Sequence, residues 1–118
     1  MRVGEASVEL EGELVVARVR GEPTEALLRS THEQVLRLVG EGGGRVLYDT
    51  LDMTAPPVDV PWSQRQLDDA LGAIRLKRAI LVPDTKLAYL ARLAFGEGHY
   101  RVFYNDRSAA VRWLTGAG

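Results

Sequence analysis

The run Arg78-Ala79-Ile80-Leu81-Val82-Pro83 constrains this chain more than any other segment. Its apolar residues follow one another without the polar alternation of a strand that has one wet face, and Pro83 stops them. A run this short reads as a central strand buried on both sides, the strand type of a parallel sheet. Such a strand needs covering layers above and below it, which points to an α/β architecture.

The rest of the chain supplies those layers. Ser7–Glu11 alternates polar and apolar residues like an edge strand, Gly12 supplies a turn, and Leu14–Val19 reads as the hairpin partner. Gly21-Glu22-Pro23-Thr24 opens a helix with Pro23 in its first turn. Its stripe is Leu28, Val35, Leu38 and Val39, with Thr31 and His32 between, and Gly40–Gly44 stops it. Arg45–Asp49 is the third strand, followed by a loop of about 12 residues containing Pro56, Pro57 and Pro61. Ser63-Gln64-Arg65-Gln66 fits a capping box, with Trp62 and Leu67 as its hydrophobic staple, and Leu67, Ala70, Leu71 and Ile74 give that helix a buried face.

After the central strand, Asp84 can cap a helix whose stripe is Leu87, Leu90, Ala91 and Ala94 and which ends around Gly96 to Gly98. Tyr100–Tyr104 is the last strand, and Asn105 or Asp106 caps a final helix with Ala110, Trp113 and Leu114 inward. The order β-β-α-β-α-β-α-β-α predicts one domain over residues 1–118. Its sheet is mostly parallel and five-stranded, with right-handed crossovers, an antiparallel edge strand and about four helices.

Composition removes several classes of function. A chain of 118 residues should bury about 60 to 70% of its unfolded surface, so it needs no staple. The absence of cysteine excludes disulfides, thiol catalysis and cysteine-bound metal. Fifteen Lys+Arg against 16 Asp+Glu leave a net charge of −1, which argues against a nucleic-acid partner held by phosphate neutralisation. No apolar run approaches the roughly 20 residues of a membrane-spanning helix, and the opening residues lack the apolar block of a signal peptide. A cytoplasmic protein without a membrane span is the expectation.

This order of elements resembles the STAS domain, the SpoIIAA-like fold of bacterial anti-sigma-factor antagonists, over nearly the whole chain. The resemblance is carried by Arg78–Val82 followed by a helix, then Tyr100-Arg101-Val102-Phe103-Tyr104-Asn105-Asp106 and Ala109-Ala110-Val111-Arg112-Trp113-Leu114. That close is similar to a poorly characterised branch of the family, and it implies a non-enzymatic domain that docks onto protein partners. Family antagonists carry an Asp-Ser-Ser-Gly-like motif, with a phosphorylated serine, where this chain reads Val58-Asp59-Val60-Pro61-Trp62-Ser63-Gln64. Only Ser63 matches by position and type, so it is the candidate phosphorylation residue.

Other motifs favour structural roles. Gly40–Gly44 closes a helix and precedes a strand, the reverse of a phosphate-binding loop. Asp49, Asp52, Asp59, Asp84 and Asp106 lie near strand ends, but Asp84 and Asp106 stand where helix caps belong. Asp49 ends an apolar strand and begins no helix. Neither His32 nor His99 has a nucleophile beside it in sequence, so no catalytic residue, cofactor or metal is expected. Among the aromatic residues, Tyr89 and Trp62 are candidates for exposure, whereas Phe103 and Trp113 fall on core positions.

These residues point to a non-enzymatic regulatory or protein-interaction module with a protein partner; a homodimer is one candidate. The competing class is a small-ligand domain, for a lipid or nucleotide, with a pocket at the strand C-terminal ends under the Thr54–Pro61 loop. The candidate interaction or ligand surface is Asp49, Thr50, Asp52, Thr54, Asp59, Trp62 and Ser63. The third strand should be central, and doubly wound sheets bind ligands in a crevice outside such strand ends.

Overall fold

A computed structural model describes residues 4–39, 44–54, 76–95 and 99–116. Strand β1 (Glu5–Glu11) turns through Gly12-Glu13 into β2 (Leu14–Arg20), and the two pair antiparallel along their whole length. Gly12 sits at φ +64 while Glu13 stays outside that region, the pattern of a two-residue turn with glycine first. Helix α1 (Glu25–Val39) leads to β3 (Gly44–Asp49), which pairs parallel with both β2 and β4 (Leu76–Val82). Helix α2 (Thr85–Phe95) leads to β5 (Tyr100–Tyr104), parallel to β4, and α3 (Arg107–Thr115) closes the described chain. The sheet order is β1-β2-β3-β4-β5.

Because strand side chains alternate between faces, the sheet carries two cores. One holds Val15, Ala17, Val46, Tyr48, Ile80 and Val82 beneath Val35 of α1 and Leu87, Ala88 and Leu90 of α2. The other holds Leu14, Val16, Leu47, Ala79 and Leu81 against Ala110 and Leu114 of α3. Strand β4 feeds both: Ile80 and Val82 go one way, Ala79 and Leu81 the other, and all four are buried. This is the two-sided burial its unbroken apolar run requires.

The helices begin where short polar side chains can take the unpaired first-turn N–H groups. Thr24 Oγ1 accepts from Leu27 N–H (3.1 Å), Asp84 Oδ1 from Leu87 N–H (2.9 Å), and Asp106 Oδ1 from Ala109 N–H (2.9 Å). Asn105, at φ 52, occupies the left-handed region and donates from its side-chain amide to Pro83 O (3.2 Å).

Three details differ from expectation. Pro23 lies ahead of the Thr24 cap rather than inside the first turn, because the threonine hydroxyl closes that turn. Leu38 is 39% exposed: the buried line of α1 runs through Thr31, His32 and Val35, and Leu38 flanks it in the last turn. Three helices stand among the described residues rather than about four; the helix expected after Ser63 lies outside them.

Among the described residues, no helix is long and apolar enough to cross a membrane.

Candidate functional site

The C-terminal end of β3 is the centre of the expected site, and β3 is indeed the middle strand. Its environment differs from the expected crevice. Strand order never reverses from β1 to β5, whereas a switch-point crevice forms where successive crossovers leave in opposite directions. Crossovers of one hand that always step the same way lie on one face. Helices α1 and α2 accordingly share a face, and α3, which follows the last strand, is free to cover the other.

Alternation along β3 sends Asp49 to the α3 face, together with Leu47. There Asp49 Oδ2 lies 3.8 Å from Arg18 Nε and 3.6 Å from Arg107 Nη1. Arg18 also binds Glu9 (2.8 Å) and Glu11 (3.1 Å) on the neighbouring strand, and Arg107 reaches Glu11 (3.4 Å). Charges of alternating sign thus form a closed ring, Arg18–Glu11–Arg107–Asp49, with Glu9 attached at Arg18. The other carboxylate oxygen of Asp49 accepts from Leu51 N–H (3.1 Å), fixing the turn out of the strand.

Thr50 is buried, and its hydroxyl and N–H both donate to the carbonyl of Leu81 on β4. The next residues are stitched to the chain beyond β2. Gly21 N–H donates to Asp52 O (3.0 Å), and Thr54 N–H donates to Gly21 O (2.8 Å). Gly21 takes φ +69 in this bridge, a conformation that favours glycine. The side chains of Asp52 and Thr54 are exposed. Asp49 and Thr50 are thus each engaged within the protein, while Asp52 and Thr54 beside them present exposed side chains. Asp59, Trp62 and Ser63 lie outside the described residues.

Arg18 and Arg107 are the partners that sequence reasoning missed. Arg18 left a trace, because the hairpin register places it opposite Ser7, on the face that carries Glu9 and Glu11. Arg107 left none, since it meets Glu11 across 96 residues of chain. A hollow of about 140 Å³ lies beside Arg18, lined by Glu5, Ala6, Ser7 and Arg20. It is polar and well below the roughly 300 Å³ at which pockets for drug-sized ligands begin.

At the other end of the α3 face, Lys77 Nζ donates to Trp113 O (2.6 Å) and lies 4.5 Å from the centre of the indole ring. His99 meets the same ring edge-on at 5.6 Å, and Phe103 packs at 6.0 Å. Trp113 thus joins core to rim, and His99 serves it as a ring contact. His32 is buried within α1, on the side facing the first core. Among the described residues, no three His, Asp or Glu side chains are grouped so as to hold a metal ion.

No family model and no curated protein matches the chain. Among solved structures it is similar to an uncharacterised protein of the DUF3478 family with a SpoIIAA-like fold, from Shewanella loihica. That match has a TM-score of 0.65 at 16% identity and covers 94% of this chain and 93% of the other. At that identity the likeness speaks for the fold alone. With its antiparallel opening hairpin, parallel remainder and helix-covered faces, the chain has the SpoIIAA-like, or STAS, α/β fold.

Proposed function

We propose that this chain is a non-enzymatic regulatory module that acts by docking onto a protein partner. The observation that carries this reading is how four polar groups at the described strand C-terminal ends are used. Asp49 is held between two guanidiniums, Thr50 is bonded to Leu81, and Asp84 and Asp106 cap helices. General acid–base catalysis needs a titratable group aimed at a position substrate can reach. Each of these four side chains is instead directed at a bond within the protein.

The small-ligand alternative wants a deep apolar cavity under the Thr54–Pro61 loop, and residues 55–61 lie outside the described ones. The phosphoswitch of the antagonists would rest on Ser63, which lies outside the described residues; if it begins a helix as its sequence suggests, a phosphate there would meet unpaired N–H groups.

The test is recovery of the full chain from its own cell after chemical cross-linking, followed by native mass spectrometry. A stoichiometric protein partner supports docking. A stoichiometric small molecule with no protein partner overturns it in favour of the ligand class.

A further inference from the structure

Helix α2 reads Thr-Lys-Leu-Ala-Tyr-Leu-Ala-Arg-Leu-Ala-Phe and contains no acidic residue. Leu87, Ala88 and Leu90 are buried against the sheet, so the opposite face, with Lys86, Tyr89 and Arg92, is exposed. These three residues follow one another at spacings of three, which places them along one side of the helix over about 9 Å. Tyr89 is 55% exposed, and neither cation pairs with a described carboxylate.

Lys86 stands in the first turn beside the Asp84 cap, whose carboxylate supplies the negative charge that the helix dipole favours there.

A second exposed aromatic residue stands on the α2 side of the sheet. Tyr104 is 47% exposed and lies opposite Val82 in the β4–β5 register, three residues before α2 begins. The turn after it is tied to the start of α2 by the bond from Asn105 to Pro83 O. Tyrosine and arginine are the residues that protein interfaces concentrate, and cations flanking an aromatic ring call for carboxylates flanking an apolar side chain.

We propose that the outer face of α2, with Tyr104 at its N-terminal end, docks an acidic protein segment. Two carboxylates of that segment meet Lys86 and Arg92, and an apolar side chain between them covers Tyr89. This proposal rests on the docking reading and names the surface and the chemistry of the partner.

The test is NMR titration of the full ¹⁵N-labelled chain with a synthetic peptide bearing two glutamates on either side of a Leu-Phe pair. The same peptide with lysines replacing the glutamates is the control. The glutamate peptide is expected to shift amides of 85–93 and 104 with a Kd of about 1 mM or tighter. The lysine peptide should not shift them. The double variant Lys86→Glu/Arg92→Glu should weaken binding at least about tenfold. Its Tm should be nearly unchanged, since glutamate suits the first helical turn at 86 and opposes the dipole in the last turn at 92. Arg37→Glu, on α1, should bind as the parent does.

Three outcomes overturn the proposal: no shift at about 1 mM peptide, shifts centred away from α2, or undiminished binding by the double variant. Binding to vesicles of 3:1 phosphatidylcholine to phosphatidylglycerol, lost in that variant while the glutamate peptide stays inert, would assign the face to membrane instead. If the cross-linked cellular partner is captured equally by parent and double variant, this surface is refuted while docking stands. If no protein partner is captured at all, it is the docking reading that fails.

Discussion

Replacing Arg18 by Met tests whether the ring around Asp49 is a structural fastening. The methionine keeps an unbranched apolar stem over the sheet and removes the guanidinium. Three carboxylates, Glu9, Glu11 and Asp49, then face one remaining cation, Arg107. The ring members are between 18% and 56% exposed, so each pair contributes on the surface scale of about 0.2–1 kcal/mol. Two hydrogen-bonded pairs, one longer contact and the new repulsion together predict a loss of about 1–2 kcal/mol.

For 118 residues the unfolding entropy is about 0.25 kcal/mol per degree, so Tm should fall by about 4–8 °C at low ionic strength. In about 1 M salt the screening length drops to about 3 Å, and the loss should shrink by at least about half. Thermal melts followed by circular dichroism at both salt concentrations read this directly. Asp49→Asn in the same background completes a double-mutant cycle, for which we expect a coupling of about 0.5 kcal/mol. An equal loss at both salt concentrations would locate the effect in packing of the stem. A loss below about 0.3 kcal/mol would refute the ring as a fastening.

Leu47→Ala empties the middle of the second core and should cost about 2–5 kcal/mol by urea titration, with the midpoint moving and the slope unchanged. Gly4→Ala would set a methyl carbon 2.9 Å from the Glu22 carbonyl carbon and closer still to its oxygen; we expect about 1–3 kcal/mol lost on thermal unfolding, and a neutral result would show that the first strand yields. Asp106→Ala removes the cap of α3 and should cost about 1 kcal/mol, whereas Asp106→Asn should recover most of it in the same melts. Ser63→Asp should change capture of the cross-linked partner with little change in Tm if Ser63 is a switch. If it only caps a helix, Ser63→Ala should cost about 1 kcal/mol and leave capture unchanged.

Much of this fold was legible in local sequence. The run Ala79-Ile80-Leu81-Val82 has no wet face, so it could only be a strand covered twice, and β4 feeds both cores. The alternation of Ser7–Glu11, a glycine turn and a second apolar run prescribed the antiparallel hairpin, and Asp84 and Asp106 announced their helices by position. The outer face of α2 is equally local, because a buried stripe at helical spacing leaves the opposite side wet.

What the tertiary structure alone decided concerns partners far apart along the chain. Asp49 looked like a free carboxylate at the end of a strand until Arg107, 58 positions later, was folded onto it. Thr50 looked like part of a polar loop until the Leu81 carbonyl took both its donors. The sequential strand order, which leaves no reversal beside β3, is likewise a property of pairing. Periodicity records which side of an element is dry, because burial acts on each side chain where it stands. Which charge meets which depends on how the elements are laid side by side, and no pattern within one element carries that information.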